Sequence, residues 1–325
     1  MLSEILGNKK CFKLVCGAGN EDTEEVEKLV YVYSKAGANI FDLSANLEVI
    51  HAAKNGLAKS GIIEDRYLCV SVGIKGDPHI EKAIINENLC KKCDACKKIC
   101  PQNAILEDIK SNYVKRKRCI GCGKCLKVCK HGAIITETCE KDLKEILPDI
   151  INEGIDCLEL HAIVEDDFEV TEKWEILNEL YNGYLSICID RAKLGNKQIL
   201  NRISHMLAIR KPYTTIIQAD GAPMSGGDDD YKTTLQAVAA GEIIQEAEFP
   251  AYMLLSGGTN SKTVELASKC GVFPSGIAIG TYARQIVRDF ISRPDFWSNE
   301  GIRTQAIEKA KELTNTVINN MNFVI

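Results

Sequence analysis

The stretches CKKCDACKKICP (residues 90–101) and CIGCGKCLKVC (residues 119–129) decide how the rest of the chain is read. Each carries the spacing Cys-x2-Cys-x2-Cys-x3-Cys. Three thiolates so placed grip one iron–sulfur cubane, and the fourth crosses over to a second one. The rule assigns Cys90, Cys93, Cys96 and Cys129 to one [4Fe–4S] cluster, and Cys119, Cys122, Cys125 and Cys100 to the other. The crossing ties the two halves into one folded unit. Zinc also takes soft thiolates, but structural zinc sites use paired CxxC or Cys/His knuckles, a layout that neither half has. Pro101 follows the first run whereas Lys130 follows the second, a difference expected to alter the local turn and solvent access more than the ligation.

This is the bacterial-ferredoxin pattern, and it predicts a small α+β domain over roughly residues 78–137, inserted into something larger. Outside it, apolar strand-like runs alternate with helical patterns of 10 to 15 residues, the signature of successive βα units. Strands are expected near Lys13–Cys16, Asn39–Ser44, Tyr67–Gly73, Cys157–Ile163, Tyr184–Asp190, Thr214–Asp220, Tyr252–Ser256 and Gly276–Ile279, with a last helix over Thr304–Asn320. Eight such strands imply a (β/α)8, TIM-barrel-like domain formed by residues 1–77 and 138–325. An open doubly wound sheet is the competing architecture. In the barrel reading the insert replaces the loop after the third strand. It therefore lies over the carboxyl-end face, where barrels keep their active sites.

Polar residues gather at those strand ends. Period-two alternation puts Asp42 and Ser44 on one face, then Glu159 and His161, then Ser186, Cys188 and Asp190, then Gln218 and Asp220, with Ser256 from the seventh strand. Barrel interiors are normally packed with branched apolar side chains, so this many inward polar groups point to a ligand pocket. A one-residue slip in facing would invert the assignment. Glu159, His161, Asp190 and Asp220 are the candidate catalytic residues, with His161 beside Glu159 suited to proton transfer. Gly257 and Gly258 follow the seventh strand, and Gly280 and Thr281 join the eighth to a helix. Backbone amides exposed by glycines at a helix start form an anion cradle, so FMN, a nucleotide or a sugar phosphate would fit; tight turns are the plainer reading. The acidic segment Gly226–Asp230 reads as a solvated turn, with a lid or cation role as the alternative.

The composition supports a folded intracellular protein. Its 325 residues are 45% hydrophobic and 26% charged, enough to bury a core without disulfides. Fifteen cysteines in a chain with neither a signal-peptide pattern nor a membrane-length apolar run suggest metal ligation in the cytoplasm. The other seven (Cys11, Cys16, Cys69, Cys139, Cys157, Cys188 and Cys270) lack metal spacing and are expected to be buried small apolar residues, Cys16 and Cys188, near strand ends, being the first candidates for exceptions. Between Asn86 and His131 stand 12 Lys+Arg against 4 Asp+Glu, within a chain of net charge −5. Such a face either offsets the charge of thiolate-bound clusters or docks an acidic redox partner. Nucleic acid is disfavoured because Tyr113 is the lone aromatic there.

The cysteine runs, the segment Gln218–Gly226 and the segment Ser256–Asn260 together resemble the light-dependent-period (LdpA) family over nearly the whole length. Ala222 stands where a basic residue would be expected in cyanobacterial relatives. The resemblance implies an iron–sulfur protein tied to cellular redox state. Two functions remain in view. One is an oxidoreductase relaying single electrons between two [4Fe–4S] clusters and a ligand at the barrel mouth. The other is a non-catalytic redox sensor or electron carrier that docks a partner through the basic domain.

Overall fold

The period-two alternation closes on itself in the computed structural model, which describes residues 1–191, 193–222, 225 and 227–321. Pro223, Met224 and Gly226, part of the motifs at 218–226 and 226–230, lie outside the described residues. Eight parallel strands form the wall: β1 (Cys11–Val15), β2 (Ile40–Ser44), β3 (Tyr67–Val72), β8 (Cys157–His161), β9 (Tyr184–Asp190), β10 (Thr215–Asp220), β11 (Tyr252–Ser256) and β12 (Gly276–Ile279). Their hydrogen-bonded order is β1-β12-β11-β10-β9-β8-β3-β2, and β2 pairs back to β1 with Lys13 opposite Ile40. An open doubly wound sheet has two edges; this sheet has none.

Outward side chains such as Phe12, Leu14, Phe41, Leu43, Leu158, Leu160, Leu255 and Ile277 are buried beneath the surrounding helices. Each such burial stabilises the fold by roughly 1.5–3 kcal/mol. The helices are α2 (Thr23–Ala36), α3 (Leu47–Ser60), α6 (Leu143–Asn152), α7 (Asp167–Leu180), α8 (Asn196–Leu207), α9 (Tyr231–Glu246), α10 (Thr263–Lys269), α11 (Thr281–Ile291) and α12 (Glu300–Asn320). The Asp22 side chain caps α2 by accepting from the Glu25 amide, and Gly37, at φ 102°, ends it. Helix α12 begins one turn before the expected Thr304. Asn299 caps it at the Ile302 amide, and Gly301, which reads as a breaker, falls within the first turn. The amino-terminal end of the barrel is plugged. Leu2 and Leu6 of α1 (Leu2–Gly7) pack on Cys11, Ile40, Cys69, Cys157, Ile216 and Leu254.

Cys11, Cys16, Cys69, Cys157 and Cys188 are buried, as small apolar side chains should be. The expectation fails for two others. Cys270 is exposed at the end of α10, and Cys139 is half-buried, its sulfur accepting from Arg116 at 2.8 Å.

Between β3 and α6 the chain forms the cysteine-bearing unit. Strands β4 (Glu81–Ile85) and β7 (Ile134–Thr138) pair antiparallel, as do β5 (Ile105–Glu107) and β6 (Asn112–Val114). Short helices α4 (Ala95–Ile99) and α5 (Lys124–Val128) each begin just after the second cysteine of a run. The two halves repeat the same backbone: Lys92 and Asp94 are left-handed in the first, Gly121 and Gly123 in the second. Glycine at 121 has a further cause, since a methyl group there would lie 1.8 Å from the Pro78 carbonyl oxygen.

The second half is thus pressed against the chain leaving the barrel. Ion pairs join it to the wall. Lys115 and Arg118 both reach Asp22 (2.9 and 2.5 Å), and Lys117 reaches Glu48 (3.0 Å). The buried Lys82 ammonium donates to the Gly19 and Cys119 carbonyls at 2.6 and 2.7 Å. Gly121→Ala is expected to destabilise this seat by on the order of 2 kcal/mol or more. The effect should be read as a lower denaturant midpoint and faster proteolysis within residues 86–131; an unchanged midpoint and cleavage rate would show that the contact is not constraining.

Candidate functional site

The inward residues of the barrel form a polar layer above the plug. Its centre is an ion pair missed in the sequence: Lys13 Nζ lies 2.6 Å from Glu159 Oε2, and Lys13 also donates to Gln218 Oε1 at 2.8 Å. Ser186 donates to the same Glu159 oxygen at 2.6 Å, while Ser71 and Gln218 Nε2 reach Oε1 at 3.2 Å. Ser71 also bonds to Asp42. Both ions are buried to 1% exposure or less. Burial works against each charge. The carboxylates of Asp42 and Glu159 nevertheless hold Lys13 well above the ordinary lysine range, and Lys13 with His161 holds Glu159 below the ordinary carboxylate range.

Above this layer, His161 Nδ1 lies 2.8 Å from Asp77 Oδ2, and His79 Nδ1 lies 2.7 Å from Asp77 Oδ1. One buried carboxylate therefore orients two imidazoles, whose rings meet edge-on at 4.6 Å. Burial alone would lower the His161 pKa, but Asp77 and Glu159 on either side raise it well above the ordinary value. Asp77 and His79 begin the cysteine-bearing segment, and nothing in their local sequence marks them as part of the barrel site.

The barrel mouth opens into a cavity of about 70 Å³. Of the expected catalytic residues, His161 and Asp220 line it, together with Asp42, Cys188 and Gln218. Glu159 and Asp190 are buried but are not among its lining residues. The expected cradle residues Gly257, Gly258, Gly280 and Thr281 all line it, on one side. Gly258 is at φ 83°, where a methyl would lie 2.1 Å from the Thr233 carbonyl oxygen, so the loop comes as close as backbone permits. Arg284, buried on the first turns of α11, adds a cation that sequence reading passed over. Its Nη1 donates to the Val15 carbonyl at 2.7 Å. With the Gln102 amide turned to satisfy its donors, the Gln102 oxygen accepts from Arg284 Nε and Nη2 at 3.1 and 2.6 Å.

Ile120 also lines the mouth, and it lines a second, mostly apolar cavity as well. Cys100, Cys119, Cys122 and Cys125 line that cavity together. Amides of Ala104 and Ala83 point at the sulfurs of Cys100 and Cys119 (3.3 and 3.4 Å), donors of the kind that tune a thiolate-bound metal. In the other half, Asn112 Nδ2 reaches Cys96 Sγ at 4.0 Å, Cys96 is buried, and Cys93 is exposed. Four thiols converging on one apolar pocket, with amide donors at two of the sulfurs, fit the ligation of an iron–sulfur cubane.

Asp220 offers a direct reading of the mouth's electrostatics. Burial lifts its pKa to about 6 against the opposing effects of the Ser256 hydroxyl and His161, and its Oδ1 has no hydrogen-bond partner. A carboxyl raised in the folded state is protonated more readily there than in the unfolded chain, so stability falls as pH rises from about 4, the ordinary carboxyl range, to about 6 and stays lower above that. Asp220→Asn is accordingly expected to stabilise the protein by on the order of 2 kcal/mol at pH about 8 and to change little at pH about 4. Urea midpoints at the two pH values check this; an equal gain at both would remove the raised carboxyl as its cause.

Residues 82–130 match the family described as 4Fe-4S dicluster domain, and residues 149–324 match Light dependent period A C-terminal domain. The chain is 32% identical over 285 residues to the Light dependent period A protein of Synechococcus elongatus, covering 84% of this chain and 80% of that one. Among solved structures, the YdjI aldolase of Escherichia coli K12 aligns at TM-score 0.49 and 9% identity (97% of this chain, 94% of that one). A 3-deoxy-D-arabino-heptulosonate 7-phosphate synthase from Thermotoga maritima aligns at 0.44 and 12% identity (94% and 84%). Likenesses this distant carry no chemistry across. No helix among the described residues is long and apolar enough to cross a membrane. The chain is an iron–sulfur protein of the light-dependent period A family.

Proposed function

We propose that the chain is an oxidoreductase in which two [4Fe–4S] clusters serve a phosphate-bearing ligand, FMN or a nucleotide or sugar phosphate, seated in the barrel mouth. Cys90, Cys93, Cys96 and Cys129 would hold one cluster, and Cys119, Cys122, Cys125 and Cys100 the other. When bound, such clusters supply electrons one at a time. The observation that carries the reading is Ile120: a single residue belongs to the walls of both the thiolate cavity and the mouth.

The chain's own residues then divide the work. Amides around Gly257, Gly258, Gly280 and Thr281, with the α11 amino terminus, favour an anionic group, and the buried Arg284 guanidinium adds charge beside them. His161 and Asp220 face the ligand and can hold or release a proton. Glu159 acts from beneath by fixing Gln218, Ser71 and Ser186, and Asp190 adds negative charge near Cys188 and Asp220.

Two measurements test this. Anaerobically prepared protein should contain about eight irons per chain, and Cys122→Ser about four, because each run supplies three ligands to its own cluster. Native mass spectrometry of the same protein should show a retained flavin, nucleotide or phosphorylated metabolite. If the fully iron-loaded protein retains none and binds none when supplied, the mouth has no such ligand.

One observation favours an electron carrier that docks an acidic partner protein. Lys91, Lys97 and Lys98 are exposed in the half that also exposes Cys93, and Lys127 and Lys130 are exposed in the other half. They suit this role better than Lys115, Lys117 and Arg118, which are engaged with Asp22 and Glu48. Lys97→Glu with Lys127→Glu should slow electron exchange with such a partner by about tenfold at low salt and much less at high salt. Salt-independent rates would rule out charge-guided docking.

A further inference from the structure

Among the described residues, buried carboxylates in the barrel interior and the segment closing it (Asp42, Asp77, Glu159, Asp190 and Asp220) outnumber the buried lysine and arginine side chains there, Lys13, Lys82 and Arg284. Protonating His161 and Asp220 would relieve part of that imbalance. A bound cation would relieve it as well, and the donors to hold one are present. Glu159, His161 and Cys188 are all buried, and their donor atoms lie within 4.8 Å of one another.

Each donor is presented in a usable way. Asp77 binds His161 through Nδ1 and leaves Nε2 directed toward Glu159 Oε1, 3.7 Å away. A carboxylate on the far nitrogen is the usual means of orienting a histidine that ligates through the other. Glu159 is anchored by Oε2, which takes the two 2.6 Å hydrogen bonds from Lys13 and Ser186. Its Oε1 has two longer hydrogen bonds of 3.2 Å beside the 3.7 Å approach of His161, the weaker contacts for an ion to displace. Cys188, from the neighbouring strand, lines the mouth, and so does Asp220 with its unpartnered buried oxygen.

We infer that the floor of the barrel mouth is a site for one divalent transition-metal ion, held by His161 Nε2, Cys188 Sγ and Glu159 Oε1. One imidazole, one sulfur and one carboxylate form a borderline donor set, which suits Zn²⁺ or Fe²⁺ and not Mg²⁺ or Ca²⁺. Binding converts the Cys188 thiol to a thiolate and displaces the proton that His161 carries on Nε2 toward Glu159; both protons leave to solvent, so affinity falls as pH is lowered. The three protein donors leave a position open to the mouth, on the side lined by Asp220. This site involves none of the eight cysteines of the two runs and stands whether or not a phosphate occupies the cradle.

The test uses anaerobic, fully iron-loaded protein dialysed against Zn²⁺, with metal counting and X-ray absorption at the zinc edge, where cluster iron does not interfere. We expect about one zinc per chain with one sulfur neighbour at about 2.3 Å and the remaining neighbours nitrogen or oxygen at about 2.0–2.2 Å. Cys188→Ser should lose the sulfur neighbour and weaken zinc binding at least about tenfold with iron content unchanged. Absence of zinc uptake overturns the site, as do three or four sulfur neighbours per zinc, which would report the cluster cysteines. A Cys188→Ser protein with the wild-type spectrum overturns it too. The wild-type spectrum decides the matter even if that variant folds poorly.

Discussion

A lysine ammonium and a glutamate carboxylate buried at the centre of a closed barrel are the constraint on which this structure depends. Either ion alone, stripped of water, would destabilise the fold by several kcal/mol, and removing one leaves the other uncompensated. Lys13 and Glu159 are tolerable because each finds several partners: Gln218 and Asp42 beside the lysine, Ser71, Ser186 and Gln218 around the carboxylate. The layer where a barrel usually stacks valine, isoleucine and leucine is here a hydrogen-bonded plate spanning six strands. His161, Asp220 and Cys188 sit on that plate, and their positions follow from its rigidity.

Much of this was legible from residue order. Metal-ligand spacing is a local property, so the two cysteine runs could be read directly. Strict alternation gave the inward facing of Glu159, His161, Gln218 and Asp220, because successive strand side chains must point to opposite faces. The remainder required closure. Lys13 sits among apolar neighbours in CFKLV and looks like an edge lysine until β1 is seen to pair on both sides. Ser71 is inconspicuous for the same reason. Asp77 and His79 belong by sequence to the start of the insert, and only its folding back over β8 brings them to His161. Arg284 and Gln102 lie on elements remote in the chain, so no spacing rule links them.

The basic character of the insert changes meaning in three dimensions. A run such as Lys115-Arg116-Lys117-Arg118 looks like an external docking patch. In the folded chain three of the four engage Asp22 and Glu48 on the barrel, and Arg116 pairs with Glu137 within the insert. Exposed pairs of this type are individually weak. Asp22, nearly buried and gripped by both Lys115 and Arg118, is the exception, because it also caps α2 and so joins helix geometry to insert placement.

The helix that stoppers the amino-terminal end closes the barrel there, and the cysteine-bearing unit contributes His79 and Ile120 to the wall of the open end. The chamber is thus built jointly by two parts of the chain, so the seating of the insert helps to set the shape of its entrance.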